Sequence, residues 1–255
     1  MFNLCIGILL PFLGTALGSF FVFFLRNKIN NKLEKVMLGF AAGVMLAASV
    51  WSLIIPAING SEHLNNWSFL PAVLGIVFGV IFLIALDKII TIINNKKNQI
   101  NIAKNKSKIL MLAVTLHNIP EGMAVGVALA GAFLGETGIS LIVSLSLSLG
   151  IAIQNIPEGA IISMPLLSDG YSKTKAFGVG VLSGVVEPIA AFVTILLVNI
   201  LSPILPYLLA FAAGAMIYVV VQELIPESHE ENSRASSIAF LFGFLIMMIL
   251  DVALG

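Results

Sequence analysis

The chain has 255 residues, 59% of them hydrophobic and only 10% charged, and its formal net charge is zero. Together with a mean hydropathy of +1.07, this excludes an ordinary soluble domain and places the chain among integral membrane proteins. The balanced charge gives no basic field for a nucleic acid, and a lone cysteine, Cys5, excludes an intramolecular disulfide or a cysteine metal cluster.

Taken in chain order, apolar runs cover roughly 4–25, 36–57, 69–93, 109–133, 139–166, 176–201, 204–226 and 236–254. Each is long enough to cross about 30 Å of hydrocarbon as a helix, so the expectation is an all-α protein of eight transmembrane helices. The first run is followed, not preceded, by basic residues (Arg26, Lys28), the reverse of a secretory signal, so it is expected to stay as a helix. Short connections make residues 1–255 one transmembrane unit.

Charge then orients the spans. All thirteen lysines and arginines fall between or bordering spans 1 and 2, 3 and 4, 5 and 6, or 7 and 8, and the alternate loops carry none. Basic loops stay cytoplasmic, so the chain is expected in a cell (inner) membrane with both termini outside the cytoplasm. The Asn- and Lys-rich stretch 94–108 is expected to be a solvated cytoplasmic loop.

Two internal repeats follow. Phe40-Ala41-Ala42-Gly43-Val44-Met45 in span 2 recurs as Phe211-Ala212-Ala213-Gly214-Ala215-Met216 in span 7, with Leu53-Ile54 matched by Leu224-Ile225. His117-Asn118-Ile119-Pro120-Glu121-Gly122 in span 4 is echoed by Gln154-Asn155-Ile156-Pro157-Glu158-Gly159 in span 5. Within each pair the spans run in opposite directions, the pattern of a transporter built from inverted repeats around a midplane site.

The paired turns carry the chemistry. On a helix, His117 and Glu121 share one face, as do Gln154 and Glu158, while Asn118 and Asn155 lie about 100° round toward an adjacent cluster. Pro120 and Pro157 each remove a helical hydrogen bond and crowd the carbonyls of Leu116 and Ile153. A carboxylate at mid-span costs about 2.5–3.5 kcal/mol, and no basic residue is at hand for Glu121, Glu158 or Glu187. The counterion therefore comes from outside the protein, as a proton or a metal cation. An imidazole, an amide oxygen and two carboxylates suit a divalent ion, zinc first.

The doubled turn, Glu187-Pro188 in span 6 and Gln222-Glu223-Leu224-Ile225-Pro226-Glu227 in span 7 resemble the ZIP family of divalent-metal transporters. Gln154, where many relatives have His, resembles the GufA-type branch. The resemblance implies a 3+2+3 arrangement of helices with inverted repeats and uptake of Zn²⁺, sometimes Fe²⁺, Mn²⁺, Co²⁺ or Cd²⁺, into the cytoplasm. It also implies a homodimer in the lipid bilayer with elevator-like motion. Residue by residue it implies a primary metal site of His117, Glu121, Gln154 and Glu158, and a secondary site of Asn118, Asn155 and Glu187. Glu223, Glu227 and His229 would mark an exit pathway. Asn155, where some relatives have Asp, makes the secondary site less anionic.

On this reading the chain is a transporter and not an enzyme, with the metal as substrate and no resident cofactor. Two other readings stay open on the residues alone: an intramembrane metal-dependent hydrolase, which needs an open coordination position and a general base, and a proton-coupled carrier of an organic solute.

Overall fold

The computed structural model describes residues 2–24, 31–97, 102–134, 140–168, 170–197, 200, 202–229 and 234–254. Eight long helical stretches emerge among them: α1 (Phe2–Phe23), α2 (Asn31–Asn59), α3 (Leu70–Lys97), α4 (Ile102–Leu134), α5 (Leu141–Ser168), α6 (Lys173–Leu196), α7 (Leu205–His229) and α8 (Arg234–Leu254). Each overlaps one apolar run. Six of them, α1, α2 and α5 to α8, are long and apolar enough to cross a membrane by length and composition, and α3 adds an apolar stretch at Leu70–Ala85. The protein is therefore an all-α, multi-pass membrane protein.

Within the expected cytoplasmic loop 94–108, the described residues 94–97 and 102–108 are helical instead. Helix α3 continues to Lys97 and α4 begins at Ile102. Lysine is a good helix former and asparagine is only modestly unfavourable, so a polar composition that ends an apolar run does not end a helix.

Helices pair tightly where small residues let backbones touch, the device available when lipid removes the hydrophobic drive between helices. The most extensive contacts are α1 with α5, α2 with α8, α3 with α7, and α4 with the second half of α6. They define two groups of four, α1, α4, α5, α6 and α2, α3, α7, α8, which meet chiefly where α2 packs on α5 and α7 on α4. Exchanging α1, α2, α3 and α4 for α6, α7, α8 and α5 leaves this scheme unchanged. The helix contacts thus obey the pseudo-two-fold relation that the repeats suggest. Large apolar side chains such as Leu13, Phe78, Phe192 and Phe242 point outward, as a lipid-facing surface requires.

The repeat in α2 and α7 is also a repeat of helix geometry. The α-helix widens to a π-helix at Ser49–Ile54 and again at Val220–Leu224, before Ile55-Pro56 and Ile225-Pro226 resume the tighter coil. Prolines cannot donate to the preceding turn, and π turns absorb an extra residue. The stretch in α2 is six residues and that in α7 five, so the equivalence between the two helices slips by one residue there. In α6 the coil breaks at Val185 between Lys173–Gly184 and Val186–Leu196. Pro188 explains the break, because its ring crowds the carbonyl of Gly184 four residues back.

Candidate metal centre

The two doubled turns lie side by side in the middle of α4 and α5, and both helices run through Pro120 and Pro157 without interruption. Glu121 and Gln154 meet across the seam: Gln154 Nε2 donates to Glu121 Oε1 at 3.1 Å. Both side chains are essentially inaccessible, at 1% and 0% exposure, yet Glu121 Oε2 and Gln154 Oε1 have no hydrogen-bond partner among the described residues. Glu158, one turn beyond Gln154, is half-buried and close enough to Glu121 for the two charges to repel, while Glu223 in the π stretch of α7 bears on Glu158. His117 stands on α4 four residues before Glu121, and its side chain lies outside the described residues.

The second expected cluster also assembles, one helical step round. Asn118 Nδ2 donates to Glu187 Oε1 at 2.9 Å and to the Ser183 carbonyl at 3.2 Å. Asn155 Nδ2 donates to Glu187 Oε2 at 2.9 Å and to the Pro11 carbonyl at 3.3 Å. A third donor reaches the same carboxylate from α1, Thr15 Oγ1 to Glu187 Oε1 at 3.0 Å. Glu187 is thus a fully buried carboxylate inside a shell of neutral donors. The oxygens of the two amides, Asn118 Oδ1 and Asn155 Oδ1, are buried and have no partner.

Four orphaned oxygens on Asn118, Glu121, Gln154 and Asn155 therefore lie within two adjacent turns. Buried polar atoms are normally satisfied, and leaving one bare costs about 1–3 kcal/mol. A set of four, all oxygen acceptors, is what a cation-binding cavity requires: oxygen donors for a hard or borderline ion and net negative charge. Among the described residues no three His, Cys, Asp or Glu side chains converge as a ready cage. The cluster mixes carboxylates with amides.

Close packing holds the cluster rigid. A Cβ on Gly122 would run into the backbone of Glu187, and one on Gly159 into the backbone of Thr15. The two motif glycines thus bring α6 against α4 and α1 against α5, at the level of the carboxylates.

The expected exit residues are spread out. Glu223 is half-buried and Glu227 exposed. The ring of His229 is engaged on both sides. Its Nδ1 lies 3.1 Å from the Ile225 carbonyl and 2.8 Å from Ser228 Oγ, and Nε2 lies 3.0 Å from Ser237 Oγ. A carbonyl only accepts, so Nδ1 carries a proton, and Nε2 pairs with the Ser237 hydroxyl, which can serve as donor or acceptor. His229 therefore ties the end of α7 to the start of α8.

Sequence reasoning missed Thr15, a hydroxyl in an apolar run with nothing nearby in the chain to mark it. It also missed Asp251 in α8, which is 7% exposed, accepts from Ser52 Oγ at 2.6 Å and leaves Oδ2 without a partner. The rule that singled out Glu121, a lone acid inside an apolar run, applies equally to Asp251 and would have found it.

Comparison with known proteins points the same way. Residues 97–251 match the family model described as Zip: ZIP Zinc transporter. The chain is 35% identical to "Zinc transporter ZIP11" of Xenopus tropicalis over 98% of its own length and 96% of that protein. It is 34% identical to "Zinc transporter GufA" of Myxococcus xanthus, covering 94% of both chains. Against "Zinc transporter ZIPB" of Bordetella bronchiseptica it is 36% identical over 96% of its length and 79% of that protein.

Proposed function

We propose that this chain, which belongs to the ZIP zinc transporter family, carries a divalent metal cation across a membrane through the buried cluster between α4 and α5. The carrying observation is the hydrogen bond that joins Gln154 to Glu121 across the seam and leaves Glu121 Oε2 and Gln154 Oε1 buried and unpartnered among the described residues. Zinc is the first cargo, with Fe²⁺, Mn²⁺, Co²⁺ and Cd²⁺ as lesser ones. The ligands are Glu121, Glu158, Gln154 and, from one turn back on α4, His117. Glu121 and Glu158 supply the two negative charges that balance the ion, which makes binding neutral overall and tolerable in a medium that penalises net charge.

Transport runs into the cytoplasm of a cell whose inner membrane holds the chain as one unit, both termini outside. The four helices that hold the cluster, α1, α4, α5 and α6, move together against α2, α3, α7 and α8, which form the fixed wall and the surface of a homodimer. Glu223, on the wall and within electrostatic reach of Glu158, is the next anion the departing ion meets.

The test is flux into proteoliposomes. Purified chain should take up radioactive zinc, and Glu121→Ala/Glu158→Ala should reduce uptake to the level of empty liposomes while the protein still purifies as a single folded species. Zinc uptake by the double variant at the wild-type rate would sink the site.

A further inference from the structure

We propose that Glu187 is not the ligand of a second metal ion but a buried anion that orients Asn118 and Asn155, so that this chain carries one divalent cation at a time. The inference rests on the placement of the cargo between α4 and α5 given above.

Amide orientation decides the matter. The Asn118 atom that faces Glu187 also faces the Ser183 carbonyl, and the corresponding atom of Asn155 also faces the Pro11 carbonyl. A carbonyl can only accept, so both atoms are N–H₂ groups whatever the protonation of Glu187. Glu187 Oε1 accepts from Asn118 and Thr15, and Oε2 from Asn155. A cation set against this carboxylate would meet the positive ends of two amides. The residues of the secondary site come together, but with the wrong atoms turned inward for a metal.

The other arm of each amide carries the consequence. With its N–H₂ group spent on Glu187, each asparagine directs Oδ1 away from that carboxylate, and both Oδ1 atoms are buried without a partner. The charge of Glu187 thus polarises two amides, and on this proposal their Oδ1 atoms join Glu121, Glu158, Gln154 and His117 in offering donors to the cargo. Partners that hold a ligand in place in this way change metal affinity about 10–100-fold. Charge agrees with the count: Glu121 and Glu158 balance one divalent ion, and a second would have only Glu187, whose two oxygens already accept from three donors.

Equilibrium dialysis of the purified full-length chain against radioactive zinc at saturation tests this. The zinc lost on changing Glu121→Gln/Glu158→Gln counts the ions held between α4 and α5, whatever binds elsewhere, and size-conserving substitutions keep the packing. We expect one ion per chain in the wild type. Glu187→Gln should leave the count at one and raise Kd by about tenfold or more. Asn155→Asp, which sets a carboxylate against Glu187 in place of N–H₂, should raise the count to two. A wild-type count of two, a lower count in Glu187→Gln, or a count of one in Asn155→Asp would each overturn the inference. A count of zero in the wild type would instead remove the placement of the cargo itself, and this inference with it.

Discussion

The seams within each group of four helices differ in kind from the seams between the groups. Within a group, backbone lies on backbone along the most extensive seams, α1 with α5, α2 with α8, α3 with α7 and α4 with α6, while Gly7, Gly180 and Gly184 face side chains. A Cβ on Gly14 or Gly18 would strike the backbone of α5, one on Gly39 or Gly43 that of α8, one on Gly75 or Gly79 that of α7, and one on Gly126 that of Ala191. Between groups, the glycine at hand is Gly150 of α5, and what it faces is the flexible end of Met247 on α8. Rigid backbone contact fixes two helices at one height, because sliding would drive the next residue's side chain into a carbonyl. An unbranched thioether repacks. On the proposed reading, in which α1, α4, α5 and α6 move against α2, α3, α7 and α8, the looser contact puts the sliding surface between the groups.

Breaking a tight seam should have the largest effect. Gly18→Val places a branched side chain on the backbone of Ile156 and should leave little folded protein, a loss beyond the roughly 1–3 kcal/mol usual for overpacking. Gly150→Ala asks only that Met247 change rotamer, and its stability should stay within about 1 kcal/mol of wild type. Thermal unfolding in detergent measures both. Equal losses at the two positions would erase the distinction between the seams.

Locking the loose seam comes next, and should abolish transport while leaving the fold intact. With the exposed Cys5 changed to Ser, Gly150→Cys/Met247→Cys places two thiols across the sliding surface, and Gly7→Cys/Leu129→Cys places two within one group, where a Cβ on Gly7 would lie 3.0 Å from Leu129 Cδ1. Oxidation of the first pair should stop zinc uptake until a reductant restores it. Oxidation of the second should leave uptake near the reduced rate. Undiminished uptake with the α5–α8 bridge fully formed would show that the groups do not slide there.

How far these features were legible from sequence depends on their range. Apolar length found each helix, and the doubled turn with its helical spacing placed Glu121 near Gln154 and set Asn118 and Asn155 on a separate cluster. Those are local patterns on two neighbouring helices. The donor shell of Glu187 was not legible, because Thr15 and Glu187 are 172 residues apart and a threonine between two glycines gives no sign of its partner. Nor was the polarity of the amides, since residue type says that asparagine both donates and accepts but not which arm faces a carboxylate. The stretch 94–108 misled in the opposite sense: its composition signals solvent, and solvent exposure is compatible with helix.

The smallest expected effect concerns Gln154, which touches neither kind of seam with backbone and alters only the atoms offered to the ion. Gln154 gives one N–H₂ group to Glu121 and keeps a bare Oε1, so the ligand set is rich in oxygen, and such a set discriminates little against Mn²⁺. Gln154→His replaces that oxygen with imidazole nitrogen. It should shift competition toward Zn²⁺ over Mn²⁺ by several-fold without changing thermal stability or the response to the α5–α8 bridge. Because imidazole binds metal only when neutral, uptake by the variant should also fall more steeply with acidification than uptake by the wild type. The measurement is zinc uptake into proteoliposomes against rising Mn²⁺ at two pH values, for both proteins. An unchanged competition curve in a folded, active variant would place Gln154 outside the ligand set, as a residue that serves only to hold Glu121.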